Sequence, residues 1–165
     1  EYYTILSPEH ENTNIEYETK VLDADFATIY KDSYSKDLIL QRTNKGIHKD
    51  DFKFVINGEF IKHYGSQGQQ KTFVIALKLA QYELLKECTG HIPILLMDDI
   101  FDKLDDVRIE KLIFLVQKYV QGQLFISDAR PDRSSNFFQA NTKDFRMFII
   151  DQGTITQSTT SQPNS

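Results

Sequence analysis

The sequence predicts an α/β fold, a three-layer-like sandwich with a mainly parallel sheet. The first observation is that helical periodicity alternates with short apolar runs from residue 66 onward, as in sheets covered by helices. The second is composition, because 165 residues with 40% apolar and 12% aromatic side chains can bury a core. The third is a hairpin signal, Asn57-Gly58, ahead of the alternating part.

The first 40 residues predict one strand and one helix. Over Asn14–Val21, apolar or β-branched side chains alternate with polar ones, which is the period of a half-buried strand. Asp23–Leu40 has helical spacing, and either Asp23 or Asp25 is suited to cap it. One side of this helix is expected to face the core, with Phe26, Ile29, Tyr30 and Tyr34.

Two short strands are predicted next, at Phe52–Ile56 and Phe60–Tyr64. They are joined by Asn57 and Gly58, which suit a type I′ turn because both residues adopt positive φ readily. An antiparallel hairpin is therefore expected directly before residue 65.

The segment Tyr64–Leu85 predicts a glycine turn that opens into a long amphipathic helix. Gly65 and Gly68 remove side chains where backbone would pass close to a partner, and Ser66 followed by Gln69 forms a capping box. Such a helix start favours a bound anion, best a phosphate, although a capped core helix without a ligand explains the stretch taken alone. The apolar stripe expected to face the core comprises Phe73, Val74, Leu77, Ala80, Leu84 and Leu85.

The remaining elements complete the alternation. Ile94–Met97 is too short for a helix and is predicted as a buried parallel strand. Asp105 is expected to cap a helix over residues 106–120. The other predicted elements are strands at Gln123–Ser127, Phe145–Asp151 and Thr154–Thr156, a short helix at Ser134–Ala140, and a disordered polar tail over residues 157–165.

Two carboxylates, Asp98 and Asp99, directly follow the apolar strand. Adjacent side chains of a strand point to opposite faces, so the two cannot do the same job. One is suited to hold Mg²⁺ through water beside phosphates, and the other to polarise an attacking water as a general base. Solvated loop acids are the alternative interpretation, but the capped turn upstream and Leu104-Asp105 downstream favour the chemical one.

Composition limits the possible function classes. The net charge of −5 argues against a simple basic DNA-binding module, although residues 41–78 hold seven basic residues against three acidic ones and could meet a polyanion. The single cysteine, Cys88, fits a reducing compartment, no secretory signal opens the chain, and no apolar run is long enough to span a bilayer. We expect a cytoplasmic protein with no membrane partner.

The motifs, taken in order, resemble one family. IPILLMDDIFDKLD looks like the Walker B strand and D-loop of an ABC-type ATPase, and YGSQGQQ resembles the signature turn that precedes them. Ser66, Gly68 and Gln69 match the general signature Leu-Ser-Gly-Gly-Gln, while Gln67 replaces a glycine, as in the RecF family of bacterial recombination-mediator ATPases. The similarity to the C-terminal part of that family is close over residues 40–130, and it includes Gly46, His48, Lys49 and Asp51.

The resemblance implies a domain plan and a role for each motif. Residues 1–45 would end a helical or arm region, residues 46–156 would form the C-terminal portion of an ABC-type ATPase head, and residues 157–165 a disordered tail. Asp98 would hold Mg²⁺ through water, and Asp99 would be the catalytic base where most ABC ATPases carry glutamate. Its shorter reach fits slow hydrolysis, with ATP acting as a clamp. The residues implied to contact the γ-phosphate of ATP on a second subunit are Ser66, Gln67, Gly68, Gln69 and Gln70.

Leu104 and Asp105 would form the D-loop, with Asp105 reaching across a dimer interface. Transporters carry a switch histidine after the next strand, where this chain has Ser127-Asp128. His48 is interpreted as a hydrogen-bonded structural residue.

The resemblance also implies a function in DNA replication, repair and recombination and in the SOS response. The intact protein would close into a homodimer on ATP and Mg²⁺, bind DNA at single-strand/double-strand junctions, and work with recombination-mediator proteins to load recombinase. The alternatives are a stand-alone interaction module without catalysis, or another non-transporter ABC ATPase of chromosome maintenance or phage defence. The latter commonly carry a coiled coil, and no sustained heptad run is present. A transporter ATPase is least expected, since a hairpin stands where its helical subdomain should lie.

The sequence contains no G-x-x-x-x-G-K-[ST] loop, which cradles phosphates in such ATPases, and its first residue is Glu1. We therefore expect a C-terminal fragment of a longer protein. We predict that these 165 residues alone neither bind ATP tightly nor hydrolyse it. Isothermal titration with ATP and Mg²⁺ measures this, and a micromolar Kd would contradict it.

Overall fold

The computed structural model describes residues 1–19, 21, 25–130 and 145–160. It divides into two compact units. The first unit comprises Glu1–His10 with Gln67–Ser165, and the second comprises Glu11–Ser66. The predicted helix at Ser134–Ala140 lies outside the described residues.

The second unit is built on a three-stranded antiparallel sheet in the order β1-β2-β3. Thr13 pairs with Ile56 at one end of the β1–β2 ladder, and Glu18 pairs with Asp51 at the other. The predicted first strand is therefore confirmed, with a shorter C-terminal end. The elements of this unit are β1 (Thr13–Glu18), α2 (Phe26–Leu40), a 3₁₀ turn (Ile47–Lys49), β2 (Asp51–Ile56), β3 (Glu59–Phe60) and α3 (Ile61–Tyr64).

The predicted hairpin is present, but its second strand is short. Asn57 and Gly58 adopt φ values of 51° and 86°, as a type I′ turn requires. The prediction of a strand over Phe60–Tyr64 is wrong beyond Phe60, because Ile61–Tyr64 forms one helical turn instead. Ile61 is buried and its carbonyl accepts a hydrogen bond from the Gly65 N–H at 2.9 Å, which closes that turn.

Helix α2 begins at the predicted cap, since the Asp25 carboxylate accepts a hydrogen bond from the Ala27 N–H. Its aromatic side does not face a core: Phe26, Tyr30 and Tyr34 are all about half exposed, and the expectation of burial is wrong for them. Periodicity predicts which side chains share a face of the helix, but it does not show whether that face is covered. The other proposed cap, Asp23, lies outside the described residues.

The connection after α2 is held by side-chain hydrogen bonds. The Asp37 carboxylate accepts bonds from the Asn44 backbone and side chain at 3.0 and 2.7 Å. Burial alone would raise the pKa of Asp37, but the bonds from Asn44 and Ser33 and the nearby His48 hold it below its usual range. His48 Nε2 lies 3.2 Å from the Thr43 carbonyl oxygen, which agrees with the structural role predicted for this histidine.

The first unit contains the alternating elements and one parallel strand pair. β4 and β5 pair in parallel with Leu95 opposite Leu124 and Met97 opposite Ile126, as the sequence predicts. The other strand pairings in the described part of the chain are antiparallel. The elements of this unit are α1 (Tyr2–Leu6), α4 (Gln67–Thr89), β4 (Leu95–Met97), α5 (Asp106–Tyr119), β5 (Leu124–Ile126), β6 (Arg146–Asp151) and β7 (Thr154–Thr160).

The core of this unit lies among α1, α4 and α5. Tyr3 packs against Phe73 with ring centroids 5.6 Å apart, and Tyr2 meets Tyr119 edge-on at 5.5 Å. The Lys111 ammonium donates to the Ser7 carbonyl oxygen at 2.7 Å, which ties α5 to the end of α1. The fully buried side chains of this core are Leu6, Thr72, Leu79, Phe101, Ile109, Leu112 and Leu115.

The buried stripe of α4 differs from the predicted one. Of the six residues predicted to face the core, Phe73 alone is buried. The other five are exposed: Val74, Leu77, Ala80, Leu84 and Leu85. The residues of α4 that are buried are Thr72, Phe73, Ile75, Ala76, Leu79 and Tyr82. Both stripes have helical spacing, so the sequence pattern allows either one to face the core.

Strand β4 is buried on one face only. Leu95 and Met97 are buried, whereas Leu96 between them is 72% exposed and Phe125, its partner on β5, is 57% exposed. The prediction of a fully buried strand is therefore wrong in this chain.

The last described elements form a hairpin. β6 and β7 pair from Arg146–Thr160 to Asp151–Thr154, around a turn in which Gln152 and Gly153 have φ values of 45° and 77°. β7 reaches Thr160, so the tail predicted from residue 157 overlaps this strand by four residues. No helix in the described part of the chain is long and apolar enough to cross a membrane.

The burial pattern can be tested with two matched substitutions. Leu115 is fully buried on α5, whereas Leu84 is 59% exposed on α4. Leu115→Ala should lower the free energy of unfolding by about 2–5 kcal/mol, because apolar contacts are lost and a cavity remains. Leu84→Ala should cost less than about 0.5 kcal/mol. Equilibrium urea unfolding of the chain measures both, and equal losses would contradict this core.

Candidate functional site

The predicted carboxylates lie where two parallel strands end together. Asp98 and Asp99 follow β4 directly, and Ser127 follows β5. The Ser127 N–H donates to the Met97 carbonyl oxygen at 3.0 Å, so the residue after β5 is still bound to the last residue of β4. Because the carboxyl ends of parallel strands meet at one edge of a sheet, groups distant in sequence converge there.

The Ser127 hydroxyl joins both aspartates. It donates to the Asp98 carboxylate and accepts a hydrogen bond from the Asp99 N–H at 3.1 Å. One hydroxyl therefore uses both its donor and an acceptor lone pair on adjacent residues. This arrangement fixes the Asp98 side chain and the Asp99 backbone relative to each other.

Asp99 has a left-handed backbone conformation, with φ 46°. This region is sparsely populated by residues other than glycine and asparagine or aspartate, and it persists where surrounding groups hold it. The Asp99 carbonyl oxygen accepts a hydrogen bond from the Lys71 ammonium at 2.9 Å and a longer one from the Asp102 N–H at 3.4 Å. The Asp99 N–H is thus bound by Ser127, directly after β5, and the Asp99 carbonyl by Lys71 on α4.

The loop after the two aspartates is packed rather than loose. Ile100, Phe101 and Leu104 are all buried, and Phe101 is fully so. The Arg130 guanidinium donates to the Phe101 carbonyl oxygen at 3.2 Å, so the segment after β5 also binds this loop. Leu104, predicted as a D-loop residue, is an anchor of the loop.

Asp105, the other predicted D-loop residue, caps α5 within its own chain. Its carboxylate accepts a hydrogen bond from the Arg108 N–H at 2.8 Å and contacts the Arg108 guanidinium. Burial by itself would raise the pKa of Asp105, but the hydrogen bonds and charge of Arg108 hold that pKa below its usual range. The predicted cap is confirmed, and the predicted reach across a dimer interface stays a prediction.

The predicted signature residues lie at the start of α4. Ser66 is the last residue of the second unit, and Gln67–Gln70 form the first turn of the helix. The Thr72 hydroxyl donates to the Gly68 carbonyl oxygen at 2.7 Å, which stabilises this first turn. Helix α4 therefore carries four of the predicted signature residues, Gln67–Gln70, in its first turn and the Asp99-binding Lys71 immediately after them.

The donor set at the strand ends fits Mg²⁺ better than a metal held wholly by protein. No group of three or more His, Cys, Asp or Glu side chains in the described ranges converges as a metal cage. Asp98 is an exposed carboxylate beside the Ser127 hydroxyl. Mg²⁺ typically takes one or two carboxylates and fills its other positions with water and phosphate oxygens, so Asp98 suits that ion.

Asp98, Asp99 and the first helical turn of α4 lie in the same compact unit, and the structure adds two residues to them, Lys71 and Ser127. Sequence reasoning did not identify Lys71, which it counted only as a surface charge, and it noted Ser127 without a role. The position of Ser127 at the end of the neighbouring strand was a usable signal. Nothing in the sequence signals the Lys71 contact, because it depends on how α4 lies against the loop.

The amino-acid sequence is similar to those of curated bacterial RecF proteins. It is 82% identical over 162 residues to the DNA replication and repair protein RecF of Cytophaga hutchinsonii, an alignment that covers 98% of this chain and 43% of that protein. It is 43% identical over 149 residues to the RecF of Flavobacterium johnsoniae, covering 90% of this chain and 42% of that protein. The chain thus spans about two-fifths of the length of these curated relatives. No family model matches the sequence.

Solved structures agree with the sequence relatives. The recombination mediator protein RecF of the RecFOR pathway, in its RecF-ATPrS form, matches with a TM-score of 0.62 and 27% identity, over 93% of this chain and 41% of that one. Its RecF-ATP form matches with a TM-score of 0.58 and 30% identity, over 79% of this chain and 37% of that one. An Smc head bound to a domain of ScpA matches at 0.55 and 14% identity, over 96% of this chain and 40% of that one, which shows the fold alone.

The cap at Asp105 gives a pH-dependent prediction. Its folded-state pKa is lowered, so its stabilising effect is present above the unfolded-state pKa and is lost as pH falls through the folded value. Asp105→Ala should cost about 1 kcal/mol of unfolding free energy at pH 7, and the difference from wild type should shrink in acid. Asp105→Asn keeps a capping oxygen and should lose less. A pH-independent loss for Asp105→Ala, measured by urea unfolding, would contradict the proposed cause.

Proposed function

The chain belongs to the RecF family of DNA replication and repair proteins, and on that basis we propose that it is the signature-bearing and Walker B-bearing portion of an ATPase head. The resemblance to the C-terminal part of RecF and the α/β ABC-head fold, both predicted from the sequence, are confirmed by the relatives and the solved structures.

One observation carries the proposal. Asp98 and Asp99 sit at the end of a parallel strand, and one serine hydroxyl from the next strand binds both. A carboxylate that is only solvated at the surface does not require hydrogen bonds that fix its side chain or backbone. Catalysis requires reacting groups in a fixed position, and Ser127 fixes the Asp98 side chain and the Asp99 backbone.

The proposed chemistry assigns different work to the two carboxylates. Asp98 holds Mg²⁺ through water, with the Ser127 hydroxyl orienting its carboxylate. Asp99 orients a water molecule and accepts its proton as the water oxygen attacks the γ-phosphorus of ATP. The bond between the γ-phosphorus and the β–γ bridging oxygen breaks, and ADP is the leaving group. Its side chain is one methylene shorter than the glutamate of most ABC ATPases. Slow turnover follows, and ATP acts mainly as a clamp.

The signature residues act on a second subunit. Ser66, with the turn over Gln67–Gln70, contacts the γ-phosphate of ATP bound to the phosphate loop of a partner copy. A hydroxyl and the N–H groups of a first helical turn are suited to that anion. Two copies of the intact protein therefore close head to head when ATP is bound at each site, and Asp105 reaches toward the partner.

The closed dimer, acting in the cytoplasm, binds duplex DNA beside single-strand gaps and helps recombination-mediator proteins to load recombinase. Residues 41–78 are basic within a chain of net charge −5, so the DNA surface is composite and uses only part of this chain. Its affinity for a gapped duplex should fall with salt because phosphate contacts release counterions.

The catalytic assignment is tested by Asp99→Asn in the intact protein. Removing the base should lower kcat for ATP hydrolysis about 10²–10⁴-fold. ATP-driven dimerisation, followed by light scattering, should persist because binding does not use the base. Glu110→Gln, at an exposed carboxylate on α5, is the control and should leave kcat unchanged. An unchanged rate in Asp99→Asn would favour the alternative of a non-catalytic interaction module.

The in-trans assignment is tested by Ser66→Arg. A bulky cation in the signature turn should abolish ATP-driven dimerisation while each subunit still binds ATP. Ser35→Arg, at an exposed site on α2, is the matched control and should dimerise normally. Normal dimerisation of Ser66→Arg would remove the signature turn from the nucleotide interface.

A further inference from the structure

We infer that Lys71 is a positioning residue that couples the two nucleotide sites of the dimer, because its ammonium holds the backbone of Asp99 while its helix begins with the signature turn. This inference rests on the proposed function. Nothing in the similarity to known proteins assigns a role to Lys71.

The first step is the contact itself. Lys71 is partly buried, and its Nζ lies 2.9 Å from the Asp99 carbonyl oxygen. A charged donor on a backbone acceptor makes a shorter and stronger hydrogen bond than a neutral pair. The contact joins residues 28 positions apart, so it depends on the packing of α4 against the loop and not on local sequence.

The second step is the conformation that the contact supports. Asp99 has φ 46°, a left-handed value that costs free energy for a residue with a side chain. The Asp99 N–H is bound to the Ser127 hydroxyl and its C=O to Lys71, so both of its own polar backbone groups are held. The direction of the Asp99 side chain follows from this backbone. Without Lys71 the carbonyl keeps only the longer hydrogen bond from the Asp102 N–H at 3.4 Å, so the carboxylate is held less firmly in place.

The third step is the position of Lys71 along α4. Gln67–Gln70 form the first turn of the helix, and Lys71 is the next residue. Under the proposed function, that first turn meets the ATP of the partner subunit, whereas Asp99 acts on the ATP of its own subunit. When the start of α4 contacts the γ-phosphate of the partner's ATP, it shifts. Lys71 passes this shift to Asp99, the base that acts on the ATP of its own subunit. A helix is a rigid element, which makes such transfer physically direct.

The test compares Lys71→Met with Lys71→Arg and Lys78→Met in the intact protein. Lys71→Met keeps an unbranched side chain one atom shorter and removes the donor. It should lower kcat for ATP hydrolysis about tenfold or more, since a small misplacement of a reacting group is costly. KM for ATP and ATP-driven dimerisation should stay within about threefold. Lys71→Arg keeps a charged donor and should restore kcat to within about threefold of wild type.

Lys78→Met is the matched control. Lys78 lies two turns further along α4, is exposed, and contacts only the Gln81 side chain among the hydrogen bonds described for it. Its kcat should equal that of wild type. A fall in kcat for both lysine variants would indicate a general charge effect on α4 and would overturn the inference.

A double substitution separates positioning from stability. Lys71 and Ser127 act on the same residue, so the combined loss in kcat for Lys71→Met with Ser127→Ala should be smaller than the product of the single losses. Independent, fully multiplicative losses would overturn the inference. If Lys71→Met does not fold, as judged by circular dichroism, Lys71→Leu, which also lacks a donor, takes its place in every comparison with the same expected result.

Asp99→Asn and Lys71→Met distinguish failure of the proposed ATPase function from failure of the role of Lys71. If Asp99→Asn abolishes hydrolysis while Lys71→Met keeps a wild-type kcat, the coupling role falls and the proposed function stands. If Asp99→Asn leaves the rate unchanged, the proposed function falls, and the role of Lys71 falls with it.

Discussion

The parallel pairing of β4 with β5 determines where the groups of the candidate site lie. Three residue pairs define the register, from Leu95–Leu124 to Met97–Ile126, and the next residues of each strand are Asp98 and Ser127. A shift of one residue would turn every side chain of a strand to the other face, and the serine hydroxyl would no longer reach both aspartates. Burial of Leu95 and Met97 opposes such a shift, because it would expose both and bury Asp98.

The loop after β4 depends on the same register. Its apolar residues Ile100, Phe101 and Leu104 are buried, and α5 begins immediately after, at the cap of Asp105. The polar groups of the loop are then bound from three directions, by Ser127, by Lys71 and by Arg130. A catalytic carboxylate on such a loop would lose little conformational entropy on reaching its transition-state position, since its backbone is already held.

The sequence predicted the elements better than it predicted what covers them. The Asn57-Gly58 turn and the Asp105 cap follow from local rules that need no partner, and the parallel β4–β5 pair follows from the order of strand, helix and strand. The predicted stripe through Leu77 and Leu84 is exposed, as is Leu96, because periodicity marks apolar positions without naming their partner. Lys71 was missed for a related reason: its contact is tertiary and crosses 28 residues.

Asp105 has a structural role as the cap of α5 and a second, proposed role in contacting a partner subunit. Its carboxylate caps α5 and binds Arg108, which in turn lies 3.6 Å from Glu9. A cap of this kind is worth about 1 kcal/mol, so losing it would not unfold a typical domain. A contact from Asp105 to a partner subunit would therefore not need to preserve the cap. Arg108, partly buried and close to two carboxylates, would keep Glu9 as a partner if Asp105 turned outward. Under the proposed function, the cap would hold Asp105 in the separate subunit without preventing its proposed reach in the closed dimer.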